Sequence, residues 1–134
     1  MISKILVVDD DPLIHQLYGR HIERAGYQMI AAVNGREAME IAAREMPQVI
    51  VMDIMMPEMD GLTAVLGLKK AEATHQIPVI MITANPMYHL CRQHSGYVGA
   101  AVFLTKPFSP ARLLQEIRRL LSDSACEVSA NAGI

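Results

Sequence analysis

The stretch Val49-Ile50-Val51-Met52-Asp53-Ile54-Met55-Met56-Pro57-Glu58-Met59-Asp60-Gly61 changes character at one residue. An apolar run stops abruptly on a carboxylate, Asp53, and a segment with a proline and a glycine follows. A continuous apolar run bounded by turn signals reads as a strand buried on both faces, the kind found in parallel sheets. The carboxyl ends of such strands form the crevice where open parallel sheets bind ligands. Asp53 therefore stands where a working carboxylate would stand, although a polar residue can also simply close a strand.

The same layout recurs on either side of this stretch. Lys4-Ile5-Leu6-Val7-Val8 is apolar and runs into Asp9-Asp10-Asp11-Pro12. Asp11 before Pro12 reads as a helix cap with proline in the first turn. That leaves Asp9 and Asp10 without a structural duty. The next helix carries Ile14, Leu17, Tyr18 and Ile22 toward one face and stops at Gly26. Tyr27 to Val33 is a weaker strand, and Asn34-Gly35 opens a helix with Ala38, Ile41 and Ala42 at helical spacing. After Asp53, Asp60-Gly61 starts a third helix with Leu62, Val65, Leu66 and the stem of Lys69 inward, weakened by Gly67. Val79-Ile80-Met81-Ile82 is a fourth buried strand ending on Thr83-Ala84, and Asn85-Pro86 caps an expected fourth helix running to about Ser95. Ala100 to Leu104 forms a fifth strand ending at Thr105-Lys106-Pro107. A last helix follows, with Leu113, Leu114, Ile117, Leu120 and Leu121 on its apolar face. The small polar composition from Ser122 onward reads as a tail, so residues 1–121 are expected to form the domain and 122–134 a disordered C-terminal segment. Five alternations of strand and helix predict an α/β domain, a parallel sheet with helices on both faces.

Composition narrows the function classes. A chain of 134 residues holds one domain of ordinary size. Its net charge of −2, with Lys and Arg scattered, gives no footprint for direct contact with nucleic acid or a membrane surface. Aromatics at 4% leave little for stacking on bases. No apolar stretch approaches the roughly 20 residues of a membrane span. Cys91 and Cys126 have neither metal spacing nor the look of a disulfide framework, and a reduced, cytoplasmic setting is expected. The ten methionines read as adaptable core filler, and no pair of the five histidines has metal-ligand spacing.

In a parallel sheet, the strand ends bring Asp9, Asp10, Asp53, Thr83 and Lys106 to one edge. Carboxylates about 4 Å apart repel by roughly 4 kcal/mol per pair at an effective dielectric near 20. Such a cluster persists when a divalent cation occupies it or when a carboxylate takes up a proton. Oxygen-only ligands favour a hard ion, Mg²⁺ or Mn²⁺, over zinc. A lysine and a hydroxyl beside that ion suit the oxygens of a phosphoryl group.

From residues 3 to 121 the chain resembles the receiver domain of bacterial two-component response regulators. The matching pieces are Ile5-Leu6-Val7-Val8-Asp9-Asp10, then Asp53 with Met56-Pro57 and Asp60-Gly61, then Thr83-Ala84, and finally Lys106-Pro107-Phe108. Each piece is moderately specific, and their order and spacing together are highly so. The resemblance implies a flavodoxin-like, doubly wound, five-stranded parallel sheet of order 2-1-3-4-5 with five helices. It implies that Asp53 takes a phosphoryl group from a sensor histidine kinase or a histidine phosphotransfer protein and becomes an aspartyl phosphate. Asp9, Asp10, Asp53 and the backbone carbonyl of Met55 would hold Mg²⁺. Lys106 and Thr83 would bind the phosphoryl oxygens, Phe103 would turn inward as Thr83 moves, and Pro107 would follow a cis bond. The signal would pass to a downstream protein through the face made by the fourth helix, fifth strand and last helix.

Some positions depart from family patterns. Ala101-Val102 stands where many DNA-binding members have an acidic pair, and His89, Cys91, Gln93 and His94 match no usual pattern. The expectation is a non-enzymatic switch that acts through protein contacts, either as a single-domain regulator resembling those of chemotaxis or as the receiver part of a longer regulator. An aspartate-nucleophile phosphatase would need a second Asp two residues after the nucleophile, where Met55 stands. A flavin-binding module would need donors in its first loop, where Asp9-Asp10-Asp11 would repel phosphate.

Overall fold

The computed structural model describes residues 2–53, 61–83, 102–105 and 109–132. Its strands are β1 (Lys4–Val8), β2 (Gln28–Ala32), β3 (Val49–Asp53), β4 (Val79–Thr83) and β5 (Val102–Thr105). They form one sheet of order β2-β1-β3-β4-β5, and every pairing is parallel. The described helices are α1 (Pro12–Arg24), α2 (Gly35–Glu45), α3 (Gly61–Lys70) and the C-terminal helix (Pro110–Ala132). The parallel doubly wound architecture and its strand order are as the sequence led us to expect. The expected fourth helix, near residues 85–95, lies outside the described residues.

The apolar runs form strands because both of their faces are covered. Leu6, Val8, Ile50, Met52, Val79 and Met81 pack with Ala38, Ile41, Ala42, Ala64, Val65 and Leu68 from α2 and α3. The alternate residues Ile5, Val7, Val49, Val51, Ile80 and Ile82 pack with Tyr18 and Ile22 of α1 and with Leu113, Ile117 and Leu120 of the C-terminal helix. All five residues of β3 and of β4 are buried, which explains why the sequence shows unbroken apolar runs there rather than alternation.

Helix starts follow their caps. The Asp11 carboxylate accepts from the Leu13 amide at 2.9 Å with Pro12 in the first turn. Asn34 accepts from the Glu37 amide at 2.8 Å. The Lys69 stem lies inward as expected, and its ammonium donates to the carbonyls of Ile77 at 2.6 Å and His75 at 3.1 Å. Burial pulls the Lys69 pKa below the ordinary lysine range.

Three expectations differ from what is found. Leu17 is 45% exposed, because Ile14, Tyr18 and Ile22 at intervals of four already fill the inner stripe of α1. From Thr63 onward in α3 the buried positions are Ala64, Val65 and Leu68, with Leu66 only partly covered, while the Leu62 side chain lies outside the described residues. The C-terminal helix does not stop near Leu121 but continues to Ala132, through the segment read as a tail. A small, polar composition is not a helix stop. From Ser122 to Ala132 there is neither proline nor glycine, and the first glycine is Gly133.

Candidate functional site

The site begins with register. Val8 of β1 pairs with Met52 of β3, so Asp9 and Asp53 are each the next residue of a neighbouring parallel strand. Asp9 remains tied to the sheet through its amide, which donates to the Ala32 carbonyl at 3.1 Å. Side chains alternate across a strand. Asp9 and Asp53 therefore follow Val7 and Val51 onto the side of the sheet covered by α1 and the C-terminal helix. Asp53 also pairs with Ile82, so Thr83, the last residue of the neighbouring strand, lies one residue beyond that register at the same edge of the sheet.

Ligating oxygens of Asp9, Asp10 and Asp53, one from each, lie within 4.8 Å of one another. Asp9 is 4% and Asp53 9% exposed, whereas Asp10 is open to solvent. Thr83 is 2% exposed. The turn after β1 holds Asp9 in place, since one of its carboxylate oxygens accepts from the Asp11 amide at 2.9 Å. The donor set fits a hard divalent cation. It offers only oxygens, and an ion about 2.1 Å from each ligand needs oxygens roughly 3 to 4 Å apart, a separation that falls inside the 4.8 Å limit found here.

Of the residues the sequence singled out, Asp9, Asp10, Asp53 and Thr83 are gathered at one sheet edge. Phe103 lies in β5, paired with Met81. Met55, Lys106 and Pro107 lie outside the described residues. Tyr18 belongs to the surroundings of the site although the sequence marked it only as a core residue. It is 6% exposed, and its pKa is pushed up to about 12 by burial first, then by the charges of Asp9 and Asp53. An aromatic with a polar tip, on the inner stripe of the helix that leaves the acidic turn, was the available signal. Helical periodicity does not separate it from a leucine.

The response regulator receiver domain family matches residues 5–118, and the chain belongs to that family. It is 38% identical over 119 residues to the DNA-binding dual master transcriptional regulator RpaA of Synechocystis, a match covering 88% of this chain and 48% of that protein. The chain spans about half the length of the first curated relatives it matches. Among solved structures, the chemotaxis response regulator CheY4 of Vibrio cholerae superposes with a TM-score of 0.81 at 32% identity, covering 90% of this chain and 99% of that one. The receiver domain of the sensor histidine kinase PA1611 from Pseudomonas aeruginosa PAO1, solved with a magnesium ion coordinated in its active site cleft, also gives a TM-score of 0.81. That match is 27% identical and covers 91% of this chain and 99% of the other. The chain is thus a two-component receiver, a signalling domain, and its acidic cluster is consistent with magnesium.

Proposed function

We propose that this domain is a phosphoacceptor switch in which Asp53 receives a phosphoryl group from a phosphohistidine. The donor would be a sensor histidine kinase or a histidine phosphotransfer protein. The observation that carries the reading is the gathering of Asp9, Asp10 and Asp53 at the carboxyl edge of a parallel sheet, with Thr83 one strand away. In the transfer, a carboxylate oxygen of Asp53 forms the new bond to phosphorus as the phosphorus–nitrogen bond breaks, and the departing imidazole takes up a proton. Asp9, Asp10, Asp53 and the Met55 carbonyl would hold Mg²⁺, with Mn²⁺ able to replace it. The cation supplies positive charge to carboxylate and phosphoryl oxygens that otherwise repel.

Lys106 would pair with the phosphoryl oxygens and Thr83 would donate to them. Phe103 would follow Thr83, passing the change to β5 and the last helix. The added group carries roughly two negative charges, enough to reorder nearby donors. If the signalling conformer were about 1% populated beforehand, near-complete activation would need about 5.5 kcal/mol of differential stabilisation. This reading is for a cytoplasmic protein that signals through a downstream protein.

A second form of the reading has its own support. The first curated relatives are about twice the length of the matched region, which supports reading the domain as the receiver of a larger transcriptional regulator. In that case, DNA contact would fall to another segment, consistent with the net charge of −2 found here.

The test is incubation with Mg²⁺ and acetyl phosphate, followed by mass measurement. Wild type should gain one phosphoryl group, and Asp53→Asn should gain none. Equal labelling of both would overturn the assignment.

A further inference from the structure

The chain between α3 and β4 is wound around one amine. Thr74 Oγ1 donates back to the Leu68 carbonyl at 2.7 Å, and the His75 amide donates to the Ala71 carbonyl at 2.9 Å. These turns deliver two carbonyl oxygens, those of His75 and Ile77, to Lys69 Nζ at 3.1 and 2.6 Å. Among the described residues, no carboxylate stands within ion-pair distance of that nitrogen. The other described lysines are placed differently. Lys4 Nζ lies 3.9 Å from Glu45, and Lys70 is exposed.

A lysine without a counter-ion has less to hold it in the charged form. A neutral amine carries two N–H groups and one lone pair, so two carbonyls satisfy it fully as a donor and leave the lone pair pointing away from both. Partial burial favours that neutral form, pulling the Lys69 pKa down. The side chain is only partly covered and its bond to His75 lies at the surface, so a small reagent can reach the nitrogen.

We propose that Lys69 is an acylation site, whose amine attacks small acyl phosphates and whose modification loosens the α3–β4 connection. The Nζ lone pair forms a bond to the acyl carbon, and Nζ gives up a proton to water. The bond from that carbon to the phosphate oxygen breaks, and its electron pair leaves on inorganic phosphate. The product is a neutral amide with a single N–H, which can serve one of the two carbonyls while the other loses its donor. The site lies before the amino end of β4, whereas Thr83 closes its carboxyl end, and the proposal does not depend on phosphorylation of Asp53.

The full chain incubated with acetyl phosphate at mildly alkaline pH, with each lysine followed over time by peptide mass spectrometry, tests the assignment. Lys69 should be acetylated severalfold faster than its exposed neighbour Lys70. An equal or slower rate at Lys69 would overturn the proposal. Asp53→Asn should acetylate at Lys69 at the wild-type rate, because phosphoryl and acetyl groups add different masses at different residues. Acetylation of Lys69 without a phosphoryl group on Asp53 would remove the phosphoacceptor reading alone, and the reverse would remove this proposal alone. Amide hydrogen exchange reads the consequence for the connection. The His75 and Ile77 amides, bonded to the Ala71 and Thr74 carbonyls, should exchange severalfold faster once Lys69 is acetylated. Lys69→Arg, which keeps donors for both carbonyls, should protect them as wild type does. Unchanged exchange in the acetylated protein would overturn the loosening.

Discussion

Three consecutive aspartates divide their work by position. Asp9 is buried and faces the α1 side of the sheet, Asp10 is exposed but within reach of the other two carboxylates, and Asp11 caps α1. Replacing Asp11 with Ala should therefore cost about 1 kcal/mol of stability, read as a lower urea midpoint. The same variant should retain Mg²⁺ affinity within about threefold, because the Asp9 oxygen is held by the backbone amide of residue 11 and not by its side chain. A large loss of Mg²⁺ affinity in Asp11→Ala would show that the third aspartate also serves the ion. This division was legible in the sequence, because Asp11 stands before a proline and the other two do not. The surroundings of Tyr18 were not legible, since they depend on which side of the sheet α1 covers. Glu116 was missed for a related reason. It is 6% exposed on the C-terminal helix and forms ion pairs with Arg112 at 3.1 Å and Arg119 at 2.8 Å, a charge drawn inward beside an otherwise apolar stripe.

At the scale of elements, the sequence marked strands well because they are short, apolar on both faces and closed by charged or turn residues. Helix faces were less legible. Leu17 and Leu66 fit a broad apolar stripe, but the sheet accepts a narrower one. Gly67 looked like a weakness in α3, and the packing supplies its reason. A Cβ there would stand 2.6 Å from the methyl carbon and 3.1 Å from the sulfur of Met39 on α2. The missing side chain lets α2 and α3 approach with that thioether between them. Gly67→Val should push the far end of the flexible Met39 side chain aside, so the fold should lose no more than about 1 kcal/mol, visible in chemical denaturation. A loss of several kcal/mol would mean that Met39 cannot swing aside.

For the whole molecule, the parallel topology and strand order were readable from alternation and resemblance. The extent of the last helix was not, because composition marks exposure more clearly than it marks a helix end. A helix of 23 residues is about 34 Å long, whereas a five-residue strand spans roughly 17 Å. Leu120 and Leu121 of that helix pack into the core beneath it. We accordingly propose 1–121 as the folding unit. Ending the chain after Leu121 should shift unfolding by less than about 0.5 kcal/mol. A loss of several kcal/mol would move the boundary outward. The two cores also explain how the chemistry can sit on a firm base, since each strand that ends at the site is gripped from both sides.

That double burial has a consequence for how the chain finds its own alignment. In β1 and β3, Ile5 to Val8 and Val49 to Met52 are all buried, so an alternating pattern is not there to tell one face from the other. A slip of one step would exchange apolar neighbours for apolar neighbours with little penalty, until it pulled Asp9 or Asp53, already buried at the sheet edge, away from the groups that satisfy them there, such as the Asp11 amide on Asp9. Burying an unpaired carboxylate costs far more than such a slip could recover. The acidic residues thus act as end stops during assembly, and the chemistry of the finished domain is written by the same side chains that keep its strands from sliding.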